Sequence, residues 1–155
     1  MSSPQSPRPI DGALWPTLRL LGYGGWLPFA GALALAWFTP VQALAHQALL
    51  AYAVAIVSFV GALSWGWALA LPDLDTRQRQ GLLLWSVVPS LLAWLAACLP
   101  APWAWWALVL TYALAWLMDW RHQTLLRWPA AWMALRSALT AGATLALMAA
   151  ALTGV

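Results

Sequence analysis

Charge is the scarcest property of this chain. Only 7% of its 155 residues are charged, with no Lys and no Glu, and the formal net charge is +3. A soluble domain carries roughly 25% charged residues, so this chain could not cover a water-facing surface. With 64% hydrophobic residues, it is predicted to be an integral membrane protein. The few Arg residues also exclude a nucleic-acid surface, which needs basic residues clustered on one face.

Residues that usually carry chemistry are scarce as well. Cys98 is the single cysteine, so neither an internal disulfide nor a cysteine-rich metal site can form. His46 and His122 lie on opposite sides of the membrane in the topology predicted below, and neither has a second ligand at metal-binding spacing. The sequence contains no nucleophile elbow and no phosphate-binding glycine loop. We therefore expect no metal and no cofactor, and a non-enzymatic role is favoured.

Long uncharged stretches separate the charged residues into three groups. As one helix, residues 20–72 would be ~80 Å long against a hydrocarbon core of ~30 Å, so this stretch must cross the membrane twice. By the same arithmetic, residues 80–118 cross twice and residues 137–155 once. Pro40 and the Pro100–Pro102 segment fall where breaks are required. We predict an all-α bundle of five transmembrane helices. They lie at about 16–38, 44–70, 82–99, 103–119 and 133–152, in a domain 14–155 that follows a short disordered cytoplasmic tail, 1–13.

The distribution of Arg predicts the orientation. With five crossings, the amino terminus and the loops 71–81 and 120–132 share one side, and all 7 Arg residues lie on or next to that side. By the positive-inside rule this side is cytoplasmic, and the carboxyl terminus at Val155 is periplasmic. The absence of Lys and Asn indicates a GC-rich bacterial genome, hence an inner-membrane protein. The 14 Trp residues, most of them near predicted helix ends, agree with this placement because Trp favours the headgroup zone.

Three ionisable residues form a candidate polar cluster on the cytoplasmic face. Asp119 ends the fourth predicted helix and Arg136 begins the fifth on the same side, so the two could form a structural clasp. A polar site shared with Arg19 is the alternative, although Arg19 could equally extend to the headgroups as an anchor. The loop with Asp73, Asp75, Arg77 and Arg79 is expected to be a solvated, self-neutralised turn.

Two prolines interrupt predicted helices. Pro28 frees the carbonyl of Gly24, and Pro89 frees that of Trp85. The simpler interpretation is a packing kink at each. Together with Gly25, these residues could instead form a hinge or line a substrate path, as broken helices do in some transporters.

Small residues recur at helical spacing in two predicted helices. In such stripes backbones can approach closely, which drives helix association in lipid. An intramolecular seam and a homodimer contact fit equally well. The candidate packing residues are Gly61, Ala62 and Gly66 in the second helix, and Ala138, Gly142 and Ala146 in the fifth.

The order of three motifs resembles a known family. They are Gly22-Tyr-Gly-Gly-Trp-Leu-Pro-Phe29, Ser58-Phe-Val-Gly-Ala-Leu-Ser-Trp-Gly-Trp-Ala-Leu69 and Trp85-Ser-Val-Val-Pro-Ser90. In this order, followed by Asp119 and the Arg136 segment, they resemble the transmembrane protein 69-like family, also known as domain of unknown function 3429. The resemblance implies a small multi-helix membrane protein, bacterial or, in eukaryotic relatives, mitochondrial. It implies no established activity.

Two functions follow as expectations. The first is a non-enzymatic accessory or assembly factor that packs against partner membrane helices or a second copy of itself, as the small-residue stripes and the abundant Trp suggest. The alternative is a small carrier or channel for an apolar or weakly polar solute, motivated by Pro28, Pro89 and the neighbouring glycines. A membrane-embedded enzyme ranks third.

Overall fold

A computed structural model describes residues 10–153, and these residues form α-helices and short 3-10 turns without any strand. The all-α prediction is thus confirmed for the described part of the chain. Three helices, α3, α4 and α6, are long and apolar enough to cross a membrane. Residues 1–9 of the predicted tail and the terminal residues 154–155 lie outside the described range. The helices are α1 Trp15–Gly24, α2 Trp26–Ala36, α3 Gln42–Ala70, α4 Thr76–Ala97, α5 Trp103–His122 and α6 Ala130–Thr153.

The first predicted helix is divided into α1 and α2 at Gly25. Pro28 has no N–H to donate to the carbonyl of Gly24, so the regular hydrogen-bond ladder is interrupted there. The Gly25 N–H bonds back to the carbonyls of Leu21 and Gly22, and the Tyr52 hydroxyl donates to the Gly25 carbonyl at 2.9 Å. A side chain of α3 therefore satisfies a carbonyl at the break.

The helix α4 begins at Thr76, earlier than the predicted start at 82. Asp75 caps it: its Oδ1 accepts from the Gln78 N–H at 2.7 Å, and the Gln78 Oε1 accepts from the Asp75 N–H at 3.0 Å. This reciprocal capping box satisfies two backbone donors at the helix start. The predicted loop 71–81 is therefore only 71–75. The second loop on this side is likewise short, residues 123–129, because α5 and α6 are longer than predicted.

The main core lies between α2, α3, α4, α5 and α6, around side chains such as Leu49, Val57, Leu108 and Leu147. The helices α3 and α4 approach closely at Gly61, where an added Cβ would lie 2.9 Å from the Ser86 carbonyl oxygen.

A smaller core closes one end of the bundle. Leu126 in the loop 123–129 is buried against a group that comprises Ala68, Leu71, Leu74 and Leu82. We call this the Arg-rich end, because Arg77, Arg79, Arg121, Arg127 and Arg136 all lie in the two loops there or within two helical turns of them. At the opposite end of the bundle, the ring centroids of His46 and Trp105 are 6.1 Å apart.

Candidate functional site

A buried ion pair joins α5 to α6 at the Arg-rich end. The Arg136 Nε donates to Asp119 Oδ2 at 2.9 Å, and Arg136 Nη2 donates to the same oxygen. Both residues are buried. Close by, the Trp116 indole N–H donates to the Ser137 hydroxyl at 2.9 Å. The structure thus places Asp119 and Arg136 in the clasp arrangement, with the carboxylate neutralised by the guanidinium.

Arg19 is not part of this pair. Its side chain is exposed, and its guanidinium carbon lies 5.9 Å from the centre of the Trp15 ring. That distance is typical of a cation–π contact. The candidate cluster of three residues is therefore a pair in the structure, with Arg19 separate from it on α1.

A second ion pair links the two loops of the Arg-rich end. Arg127 Nη2 donates to Asp73 Oδ2, and both residues lie nearer to the surface than Asp119 and Arg136. Arg127 has a φ of 53°, a left-handed backbone conformation that residues other than Gly and Asn rarely adopt. The loop 123–129 is thus held in place by an ion pair and by the burial of Leu126.

The Arg79 side chain closes the carboxyl end of α3. Its Nη1 donates to the Ala68 carbonyl at 2.6 Å, its Nη2 to the Leu71 carbonyl at 2.6 Å and its Nε to the Leu74 carbonyl at 3.1 Å. The last carbonyls of a helix have no partner within the helix. The expected solvated, self-neutralised turn is therefore wrong for Arg79, whose guanidinium binds backbone carbonyls rather than the neighbouring carboxylates.

An apolar cavity of about 370 Å³ lies between α1, α2, α3, α5 and α6. Its polar lining residues include Tyr112, Trp132 and Arg136. The Tyr112 hydroxyl donates to the Ala53 carbonyl at 2.9 Å, so it is already paired. The Trp132 Nε1, in contrast, is buried and has no hydrogen-bond acceptor in the described part of the chain. Of the candidate site residues predicted from the sequence, Gly25 and Arg136 line this cavity, and its other walls were not predicted.

The predicted hinge residues do not line up along the cavity. Gly25 lines it, but Gly24, Pro28 and Pro89 do not. Pro28 is exposed on the outer surface, whereas Pro89 is buried against Gly61 of α3. The structure therefore does not bring the two prolines together around a common path.

The small residues of α6 accommodate a tryptophan of α2. A Cβ added at Gly142 would lie 2.3 Å from the Trp26 Nε1, a distance that no real side chain could occupy. The Trp26 Nε1 donates to the Leu139 carbonyl of α6 at 3.4 Å. Ala138 and Ala146 are half-buried on the same helix.

The small residues of α3 divide between two faces. Gly61 is buried against α4, but Ala62 and Gly66 are exposed, and a Cβ added at Gly66 would meet nothing within 4 Å. Among residues 10–153, Ala62 and Gly66 therefore do not form a helix seam. Their role in helix packing stays a prediction.

Tryptophan rings cluster at the Arg-rich end. The ring centroids of Trp67 and Trp128 are 6.1 Å apart, and those of Trp128 and Trp132 are 6.2 Å apart. Their indole nitrogens are buried without an acceptor in the described range. Among residues 10–153, no three of His, Cys, Asp and Glu lie close enough together to hold a metal ion.

Comparison with known proteins gives one informative result. No curated protein and no solved structure matches the chain. A family model described as protein of unknown function (DUF3429) matches residues 15–152. The match confirms the family predicted from the three ordered motifs, while the transmembrane protein 69 name for it stays a prediction. Because the matched region includes all six helices nearly in full, the chain belongs to the DUF3429 family.

Proposed function

We propose that this protein is a bacterial inner-membrane protein with five crossings, of which α1 and α2 together form the first. Residues 15–36 cover these two helices, and α5 has 20 residues. About 20 helical residues span a hydrocarbon core of ~30 Å. The Trp residues of α5 and its terminal Asp119, Arg121 and His122 lower its mean hydropathy without making it too short to cross.

The positions of the Arg residues support an amino terminus in the cytoplasm and a carboxyl terminus in the periplasm. The contact between Asp73 and Arg127 joins the two loops at one end of the bundle, and Arg residues lie in or beside both loops. Cytoplasmic loops carry an excess of Arg and Lys. The opposite turn, around Pro100 and Pro102, carries none.

Reporter fusions test this topology. An alkaline phosphatase fused after Val155 should be active, and a fluorescent protein that matures only in the cytoplasm should fluoresce at the amino terminus. A cytoplasmic signal from both ends would contradict five crossings, because an odd number of crossings places the ends on opposite sides.

Within that topology, we propose a non-enzymatic role as an accessory or assembly factor that packs against a partner membrane helix. The observation that carries this proposal is the exposed face of α3 at Ala62 and Gly66. Small residues at four-residue spacing allow two backbones to approach closely, which favours association in lipid. Phe59 and Trp65 are exposed beside them and would form the ridges of such a groove.

Site-specific crosslinking tests this role. A photoreactive amino acid at Gly66 should give one defined protein adduct in cells, whereas the same group at Leu145, an exposed position on α6, should give none. The photoreactive group at Ala62 should give the same protein adduct. A Gly66→Leu substitution in that chain should abolish it, because the larger side chain prevents close approach of the partner helix.

The mass of the adduct distinguishes a second copy of this chain from a different partner. Adducts with lipid alone, or the same adducts from Gly66 and Leu145, would contradict the proposal. So would a chain that migrates as a monomer in mild detergent after every crosslinking attempt.

A further inference from the structure

The cavity has the size and lining of a binding site for a hydrocarbon chain. Its volume of about 370 Å³ lies near the lower end of the range of ~300–1,000 Å³ for ligand pockets. Apolar side chains such as Phe29, Val57 and Ala143 form much of its wall. That space suits one extended chain and is too small for both chains of a phospholipid.

The cavity reaches the outer surface between α1 and α3. Leu21 of α1 and Phe59 of α3 both line it, and both are among the exposed large apolar residues. In the proposed topology this surface faces the bilayer. A hydrocarbon chain could therefore enter the cavity sideways from the membrane, while the rest of the molecule that carries it stays outside.

The polar part of the lining offers hydrogen-bond donors. Arg136 uses Nε and Nη2 on Asp119, which leaves Nη1 to donate to a ligand. The Trp132 Nε1 is buried without an acceptor in the described residues. A buried donor without a partner is unfavourable, so an acceptor oxygen that reaches the Trp132 Nε1 after a small rotation of the ring would satisfy this donor.

The charge state of the site favours a neutral acceptor. Asp119 already balances the charge of Arg136, so a carboxylate placed beside the pair would be a buried anion without a counter-charge. An ester carbonyl accepts the same hydrogen bonds without this penalty. A free fatty acid therefore fits less well than an acyl chain attached through an ester.

We propose that the cavity binds one acyl chain of a membrane phospholipid, with the ester carbonyl of that chain accepting hydrogen bonds from Trp132 and Arg136. The headgroup and the second chain stay in the bilayer, outside the opening between Leu21 and Phe59. This binding site rests on the proposed membrane topology but needs no protein partner, although its opening shares Phe59 with the exposed face of α3.

Photolabelling of the full chain in nanodiscs tests the proposal. The nanodiscs contain phosphatidylethanolamine and phosphatidylglycerol, with a diazirine in one acyl chain, and mass spectrometry locates the labelled residues. We expect labelling at Phe29 and Val57, inside the cavity. Thr140→Phe, which fills the cavity from α6, should reduce it by about fivefold or more.

Ala141→Phe is the matched control, because Ala141 is exposed on the same helix and does not line the cavity. It should leave the labelling of Phe29 and Val57 unchanged. If Thr140→Phe does not fold, Val60→Phe fills the same space from α3. Equal labelling of these residues in the wild type and in a folded cavity-filling variant would overturn the proposal.

A second comparison tests the hydrogen bond. Trp132→Phe removes the N–H donor but keeps an aromatic ring, and it should reduce labelling by an ester lipid about three- to tenfold. Labelling by an ether lipid, which has no carbonyl, should not change. Equal effects on both lipids, or stronger labelling by a diazirine fatty acid than by the phospholipid, would overturn the assignment of an ester carbonyl.

Discussion

Two carboxylate–guanidinium pairs at the Arg-rich end have the same chemistry but different surroundings. The side chains of Asp119 and Arg136 are 10% and 8% exposed, whereas those of Asp73 and Arg127 are 54% and 21% exposed. The first pair joins two helices inside the bundle, and the second joins two loops at its surface. Removing one partner of a buried pair leaves a charge that water cannot solvate. When one partner of an exposed pair is removed, water solvates the remaining charge and replaces much of the lost interaction.

Breaking the buried pair should have the largest effect. Asp119→Ala or Arg136→Ala should each lower the free energy of unfolding by ~3–5 kcal/mol, because the remaining charge stays buried without its partner. The double substitution should lose less than the sum of the two, since it leaves no unpaired charge. Reversible unfolding in mild detergent measures all three variants. Strictly additive losses would show that the two residues do not interact.

Removing the Arg79 side chain should have the next largest effect. Arg79→Ala should lower the free energy of unfolding by ~1.5 kcal/mol, at the lower end of the range for hydrogen bonds from charged groups, because the side chain is only half-buried. Arg77→Ala is the matched control: it removes an exposed Arg from the same helix and should be nearly neutral. Equal losses in the two variants would argue against a capping role for Arg79.

The backbone of Arg127 offers a way to separate strain from charge. Arg127→Gly and Arg127→Ala both remove the pair with Asp73, but only glycine adopts a φ of 53° without steric cost. The glycine variant should therefore be about 1 kcal/mol more stable than the alanine variant in the same unfolding assay. Equal stability would mean that the left-handed conformation carries no strain.

The smallest effect is expected from the exposed charge pair itself. Arg127→Ala should lower the free energy of unfolding by only ~0.2–1 kcal/mol. In about 1 M salt, where the Debye length is ~3 Å, that loss should disappear, whereas the loss in Asp119→Ala should persist. A loss in Arg127→Ala that does not depend on salt would remove the contrast between the two pairs.

The positions of the helix breaks were predictable from the sequence. The helix α2 ends at Ala36 and α3 begins at Gln42, around Pro40, while α4 ends at Ala97, just before Pro100. Proline cannot donate to the preceding turn, and its effect does not depend on the tertiary fold. The early start of α4 was also signalled, by the Asp75–Gln78 capping box, although the charges of the segment led to a loop prediction.

The inward face of each helix was harder to predict. In lipid, side chains that face the membrane are as apolar as those that face the core, so periodicity does not identify the buried face. Gly61 and Ala62 are adjacent small residues, and only the structure distinguishes the buried Gly61 from the exposed Ala62. The cavity depends on how five helices meet, and the Arg79 contacts depend on the path of the loop 71–75. Neither is encoded in local sequence.

The contact between Gly142 and Trp26 has a consequence for how variation in this family should be interpreted. Gly142 does not line the cavity, but Trp26 does, and the indole keeps its place because position 142 has no side chain. Any larger residue at 142 must push the indole away from α6 and so reshape the space it borders. Relatives that differ at position 142 should therefore differ in the length of the acyl chain that the cavity accepts, even where every residue that lines the cavity is the same.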